Sequence, residues 1–226
     1  MELHGLRIPV TACCLHFLNP FTAVLVVGST LLLQGCEANV FSAFASSLSS
    51  LTTTQPEAAH TVTRTAKGYE ERQYGSLKYA CRRQTGAFND QDQTSIFLAL
   101  FNYINGENNK GIEMDMSVPV SIEVFKNITT TVYNACFYID PKHQNSPPTP
   151  QDADTFIMER PPITLFTRRF GGFADTEEEW TSAAQKLRKL VEQGGDSVRQ
   201  DIMYWNAYDS PIKFWSRRNE VWLVKQ

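Results

Sequence analysis

Histidine and cysteine are scarce in this chain: four of one and five of the other in 226 residues. Neither set has the spacing of a metal site. His4 and His16 lie in the leading segment, His60 in a polar stretch and His143 in a proline-rich one. Met114 and Met116, which alternate with acids, are read as packing. No nucleophile is spaced against a base, and Gly171-Gly172 lacks the spaced glycines of a phosphate loop. Glu71 and Glu159, each followed by arginine, come nearest to a carboxylate pair, but strand ion pairs are the simpler reading. Catalysis is therefore not expected. Basic residues show no excess: the net charge is -3 and the cations are scattered, so no nucleic-acid footprint is present. The uncharged apolar run Phe21–Leu33 has thirteen residues, short for a membrane span.

That run does suit the core of a signal peptide. Cys36-Glu37-Ala38 sets small residues for a cut near Asn39. The alternative is an uncleaved membrane anchor over residues 8–33. Leu33-Gln34-Gly35-Cys36 also resembles a lipobox, which needs a bacterial host. Cleavage would remove Cys13, Cys14 and Cys36 and leave Cys81 and Cys136, both in strand-like segments. A disulfide between them would add about 4 kcal/mol in the chain-entropy account; two buried free thiols are the alternative. Asn127-Ile128-Thr129 is a glycosylation sequon at an expected hairpin tip, usable only on a lumenal route. An extracellular protein is expected.

Three regions follow: a leader over 1–38, a mobile Ser/Thr-rich linker over 39–67 with His60 solvated, and one domain over 68–226. Within the domain, Leu77, Tyr79 and Cys81 alternate with Lys78, Ala80 and Arg82, as in a half-buried strand. A helix runs from Asp92 to about Asn105, with Ile96, Phe97, Leu100, Phe101 and Ile104 on one stripe. Strands follow over Val118–Phe125 and Thr130–Ile139, joined at Lys126-Asn127. Pro141–Asp154 should lie outside the sheet. Phe156–Arg169 is a strand pair or a bent strand. Thr176 and Glu179 form a capping box for a second helix reaching Gln193. Strands over Met203–Tyr208 and Val221–Val224 close the chain.

The halves align. Glu71-Arg72 matches Glu159-Arg160, and Ser117-Val118-Pro119 matches Asp209-Ser210-Pro211. Met116–Val124 thus reads as a second copy of the closing segment Ala207–Gln226. Two strand-helix-strand-strand units, fused, can close an antiparallel sheet under two helices. The expected class is α+β, with pseudo-twofold symmetry and a barrel-like sheet.

Tyr69-Glu70-Glu71-Arg72, Asn109-Lys110-Gly111-Ile112, Met116–Val120, Ser146-Pro147-Pro148, Phe170-Gly171-Gly172-Phe173 and Arg217–Leu223 resemble the SOUL/haem-binding protein family over about Gly68–Gln226. The resemblance implies a monomer of two repeats with a shallow apolar cleft beside the first helix for haem or a related tetrapyrrole. A tetrapyrrole needs a flat apolar slot and cations near its propionates. Phe97, Phe101 and Ile104 would form one wall and Lys213, Phe214 and Trp215 the other; the resemblance puts a propionate-binding lysine at Lys213. Plain core is the competing reading of the aromatics. The chain departs from the family where basic residues would stand, at Thr94 and Asn102, and where one branch has an axial histidine, at Gln73. Ligation by histidine is thus not expected. The function implied is tetrapyrrole carriage without chemistry; the alternative is an interaction protein that kept the fold and lost the ligand.

Overall fold

Alternating apolar and polar residues pair into one antiparallel sheet of nine strands in the computed structural model, which describes residues 55–88, 90–209, 213 and 215–226. The strands are β1 (His60–Ala66), β2 (Tyr69–Tyr74), β3 (Leu77–Thr85), β4 (Val120–Lys126), β5 (Thr131–Tyr138), β6 (Thr155–Arg160), β7 (Ile163–Phe170), β8 (Val198–Ala207) and β9 (Asn219–Lys225). Two helices interrupt them, α1 (Asp90–Ile104) and α2 (Glu177–Gln193). In space the strands run β1-β2-β7-β9-β8-β4-β5-β3-β6. The α+β class with two helices holds. The sheet stays open, however, with β1 and β6 as its edges, so the expected barrel does not close.

The symmetry is legible in that order. From the centre outward one half reads β8-β9-β7 and the other β4-β5-β3. Ser121 of β4 lies opposite Asn206 of β8, and the register steps away equally on each side. Each half lends its first strand to the other: β2 pairs with β7, and β6 with β3. Arg72 accordingly faces Leu165, and Arg160 faces Leu77. The matched Glu-Arg pairs of the sequence are true counterparts. The matched prolines are not. Pro119 precedes β4, whereas Pro211, outside the described residues, follows β8. The counterpart of the closing strand β9 is β5, so Met116–Val124 is not its copy.

One face of the sheet carries both helices. On α2 a stripe of Trp180, Ala183, Ala184, Leu187 and Val191 is buried against Phe166, Trp205, Val221 and Leu223. The large apolar members, such as Leu187 and Val191, each contribute about 1.5–3 kcal/mol by leaving water. The capping box forms as expected: Glu179 N–H donates to Thr176 Oγ1 at 3.3 Å, and Thr176 N–H donates to Glu179 Oε2 at 3.0 Å. After α2 the chain needs glycine, because a Cβ on Gly194 would sit 2.7 Å from the Tyr69 hydroxyl. The opposite face packs an aromatic set that includes Tyr74, Tyr79, Tyr138, Tyr204, Tyr208 and Trp222.

Further expectations are corrected or sharpened. The linker does not reach Lys67, because His60–Ala66 is strand β1 on the edge of the sheet. Alternating Thr and Val supply β propensity that a Ser/Thr-rich composition hides. His60 is not free in solvent; its ring lies 5.0 Å from that of Tyr74, and Nδ1 is 3.2 Å from the Ala58 carbonyl. Tyr69–Arg83 is two strands, divided at Gly75-Ser76. Cys81 and Cys136 are fully buried and directly opposite on β3 and β5, with their sulfurs 2.14 Å apart. The expected leader, residues 1–38, lies outside the described residues. Among the described residues no helix is long and apolar enough to cross a membrane.

Candidate functional site

The helical period of α1 turns Leu100, Phe101, Tyr103 and Ile104 onto Ala80, Phe137 and Ile139. Phe101 and Ile104 are only 5% and 6% exposed, so two residues of the predicted wall belong to the protein's own core. Phe97 is half-buried; its ring stacks 6.0 Å from Phe101 and meets Phe137 edge-on at 5.3 Å. With Ile96 and Met116 it forms the outer rim of that cluster. Beside the N-terminal half of α1 a cleft of about 730 Å³ opens, lined by Ile96, Ser95, Phe156, Arg82 and Arg83 among others. Arg83 sits over the Phe156 ring at 5.6 Å, and Arg82 is paired with Asp152 and Asp154.

The turn after α1 is fastened by Asn108, which is fully buried. Its Nδ2 donates to the carbonyls of Tyr103 and Ile112, and its Oδ1 accepts from the amides of Lys110 and Ile112. Asn109 and Thr149 exchange hydrogen bonds of 2.8 Å, and Tyr103 donates its hydroxyl to Pro148 at 2.9 Å. The Asn-Lys-Gly-Ile and Ser-Pro-Pro segments therefore clasp one another. From this clasp the chain runs through Met114 and Met116, packed with α1, to Val118, packed against the aromatic cluster of the opposite face.

The second predicted wall lies between β8 and β9. Lys213 Nζ donates to Asp209 Oδ1 at 2.5 Å, and no hydrogen bond or ion pair joins Lys213 to α1 among the described residues. Asp209 also accepts from the Arg218 amide, and Arg217 donates to the Lys213 carbonyl at 2.7 Å. Trp215 is half exposed, at 51%. Phe214 lies outside the described residues.

The base of this loop is held by a charge cluster that the sequence had offered only as a motif. Glu220, 1% exposed, accepts from Arg72 and Arg218, from Tyr208 at 3.0 Å and from Trp222 Nε1 at 2.9 Å. Arg218 also forks onto Glu57, with two contacts of 2.9 Å, and lies 3.6 Å from the centre of the Tyr208 ring. Burial pushes the Glu220 carboxyl up, but the charge of Arg72, the bond from Trp222 and the charge of Arg218 outweigh it and hold the carboxyl below its usual range. Burial and then the Glu220 charge push the Tyr208 phenol well above its ordinary value. Asn219 adds a bond to the Gly172 carbonyl at 2.9 Å. Arg-Arg-Asn-Glu-Val-Trp is thus an anchor for the loop that carries Lys213.

Other candidates separate. Glu71 pairs with Lys225 and Arg64, each at 3.0 Å, while Glu159 accepts from Ser76, so the two carboxylates do not share a site. His143 Nδ1 lies 3.0 Å from Asp140 Oδ2. Among the described residues no group of three or more His, Cys, Asp or Glu is placed to hold a metal ion.

The sequence model described as SOUL heme-binding protein matches residues 55–224. The chain belongs to the SOUL heme-binding protein family. That match takes in β1 as well as the expected domain. The chain is similar to heme-binding protein 1 of Mus musculus, 36% identical over 160 residues, covering 70% of this chain and 84% of that protein. It is also 30% identical to heme-binding protein 2 of Homo sapiens over 164 residues, covering 70% and 78%. Among solved structures, the EcmrR C-terminal domain is similar at a TM-score of 0.50 and 10% identity over 70% of this chain and 96% of that one; this likeness speaks to the fold alone. Against the SOUL pattern, Gln73 is exposed on β2, and α1 carries neutral Thr94 and Asn102.

Proposed function

We propose that this SOUL family member is an extracellular, monomeric tetrapyrrole carrier without catalytic chemistry. The observation that carries the reading is the cation at Lys213, tethered to Asp209 in a loop that also carries half-exposed Trp215, while half-buried Phe97 sits at the rim of the α1 cluster. These residues fit an apolar macrocycle and one propionate. They offer no histidine to iron, so a bound haem is expected without a histidine axial ligand. When bound, the macrocycle would supply the light absorption and iron chemistry; the protein's part is to hold it. Lys213 would leave Asp209 for the propionate, an exchange of one charge-assisted contact for another.

The compartment reading rests on two features. Asn127 is exposed at the β4–β5 turn, where its Oδ1 accepts from Thr129 and Thr130. The Cys81–Cys136 pair suits an oxidising route. N-terminal sequencing and a glycosidase mobility shift of the protein from its own cells test the compartment; an intact leader and unmodified Asn127 reject the extracellular reading.

Hemin titration tests the site. A saturable Soret shift is expected, weakened about tenfold by Lys213→Glu. Asp209→Asn should tighten binding about fivefold, roughly the 1 kcal/mol of a freed, partly exposed ion pair. If Lys213→Glu changes nothing while Arg83→Glu abolishes the shift, the ligand sits in the cleft beside β6 instead. A second reading, an interaction protein that has lost the ligand, is favoured by the Lys213–Asp209 pair and by neutral Thr94 and Asn102. A flat titration selects it.

A further inference from the structure

The pairing of β2 with β7 ends at Glu70 and Thr167, but β7 continues along β9 to Phe170. Where the β1–β2 turn leaves β7, a cleft of about 420 Å³ opens. Four arginines line it, Arg72, Arg168, Arg169 and Arg218, against Glu70 and Glu220. Two of the four are spent. Arg72 is paired with Glu70 and Glu220, and Arg218 with Glu57 and Glu220. Glu220 is saturated by its four donors and makes no claim on a further cation.

Arg168 and Arg169 are different. Arg168 donates to the neutral Gly68 carbonyl at 2.9 Å, and neither residue has an ion pair among the described residues. Beside them Thr167 is 2% exposed, and its hydroxyl has no hydrogen-bond partner among the described residues. Buried polar groups in folded proteins almost always have partners, and one that has none within the protein points to something outside it. Two uncompensated guanidinium groups in a concave wall concentrate negative charge, and their planar forks match an oxyanion's paired oxygens. The volume is that of a small-molecule site.

We propose that this cleft is a binding site for a small dianionic oxyacid, a phosphate monoester or a dicarboxylate, with Arg169 and Arg168 taking its charge and Thr167 a further oxygen. It is independent of the tetrapyrrole reading and of Lys213.

The test uses the full chain as expressed, titrated by calorimetry with inorganic phosphate and, separately, with succinate, against sodium chloride at equal ionic strength. Saturable binding of either anion beyond chloride is expected. Arg169→Ala should weaken it at least tenfold, because the exposed Arg169 has no structural pairing to lose. Thr167→Val should weaken it several-fold while leaving the melting temperature equal or higher. Phosphate alone identifies the phosphate class, succinate alone the carboxylate class. Hemin titration should be unchanged by Arg169→Ala. The proposal is overturned if neither anion binds beyond chloride at millimolar concentration, or if Arg169→Ala and Thr167→Val bind as tightly as the parent.

Discussion

Arg72 and Arg160 occupy matching places in the two halves and live in different surroundings. Arg72 meets the buried carboxylate of Glu220. Arg160 lies between the rings of Tyr79 and Tyr204, at 4.1 and 4.6 Å, donates to Ser121 Oγ at 3.0 Å, and comes no nearer to Glu123 than 3.8 Å. Its Nε and Nη2 have no hydrogen-bond partner among the described residues. The cause lies two strands away. Glu220 lies opposite Asn206, as Cys136 lies opposite Ser121, so the counterpart of the glutamate is a cysteine. One half fastens its outer strands with an ion cluster, the other with a covalent bond. The same backbone template therefore carries two kinds of fastening, one sensitive to acid and one to reductant.

The sharpest way to break that contrast is to replace each arginine by methionine. Arg72→Met leaves the buried Glu220 with Arg218 as its remaining cation and should cost about 3 kcal/mol in urea unfolding, the low end for breaking a buried pair. Arg160→Met removes an arginine already short of partners and should stay within about 1 kcal/mol of the parent. Equal losses would mean that the two sites are energetically alike despite their geometry.

Next in size is the covalent side. Replacing Cys81 and Cys136 together by alanine opens a loop with a sequence separation of 55 and should cost roughly 2–4 kcal/mol. The two halves should then respond to different reagents. Reductant should lower the melting temperature of the parent but not of the double alanine variant.

Acid should act on the other half. The folded Glu220 carboxyl titrates below its unfolded value, so its contribution is full above the unfolded carboxylate pKa. As pH falls through the depressed folded value, the carboxylate takes up its proton and that contribution is lost. Stability measured downward from about pH 5 should fall more steeply in the parent than in Glu220→Gln, which starts lower. Parallel curves would remove Glu220 from the acid response.

Much of this was legible in the sequence, for physical reasons. Thr176–Glu179 and the α2 stripe are local signals, and local signals survive packing. The Glu-Arg repeats marked the exchanged strands, although the two arginines meet different partners there. Strand order was not legible: a tripeptide such as Asp209-Ser210-Pro211 states that the chain bends and says nothing of which strand has just ended. β1 was hidden because a strand at a sheet's edge can be polar on most of its length. Phe101 and Ile104 could be placed on a helix stripe, but a stripe does not say whether core or ligand covers it. Glu220 was named only inside a motif, since nothing one-dimensional shows that Arg72, 148 positions earlier, would meet it.

The smallest expected effect tests whether rings alone can hold a buried arginine. Ser121 lies at the pseudo-axis opposite Asn206, and its hydroxyl accepts from Arg160 Nη1. Ser121→Ala deletes that acceptor with little change of volume at a fully buried site. A hydrogen bond to a charged group is worth about 1.5–3 kcal/mol, but each flanking ring offers about 0.5–2 kcal/mol of its own. If the rings carry Arg160, the substitution should cost no more than about 1 kcal/mol, and Tyr204→Leu should cost more. A larger loss at Ser121 would show that Arg160, like Arg72, depends on a specific oxygen, and the two halves would then differ only in which oxygen each one uses.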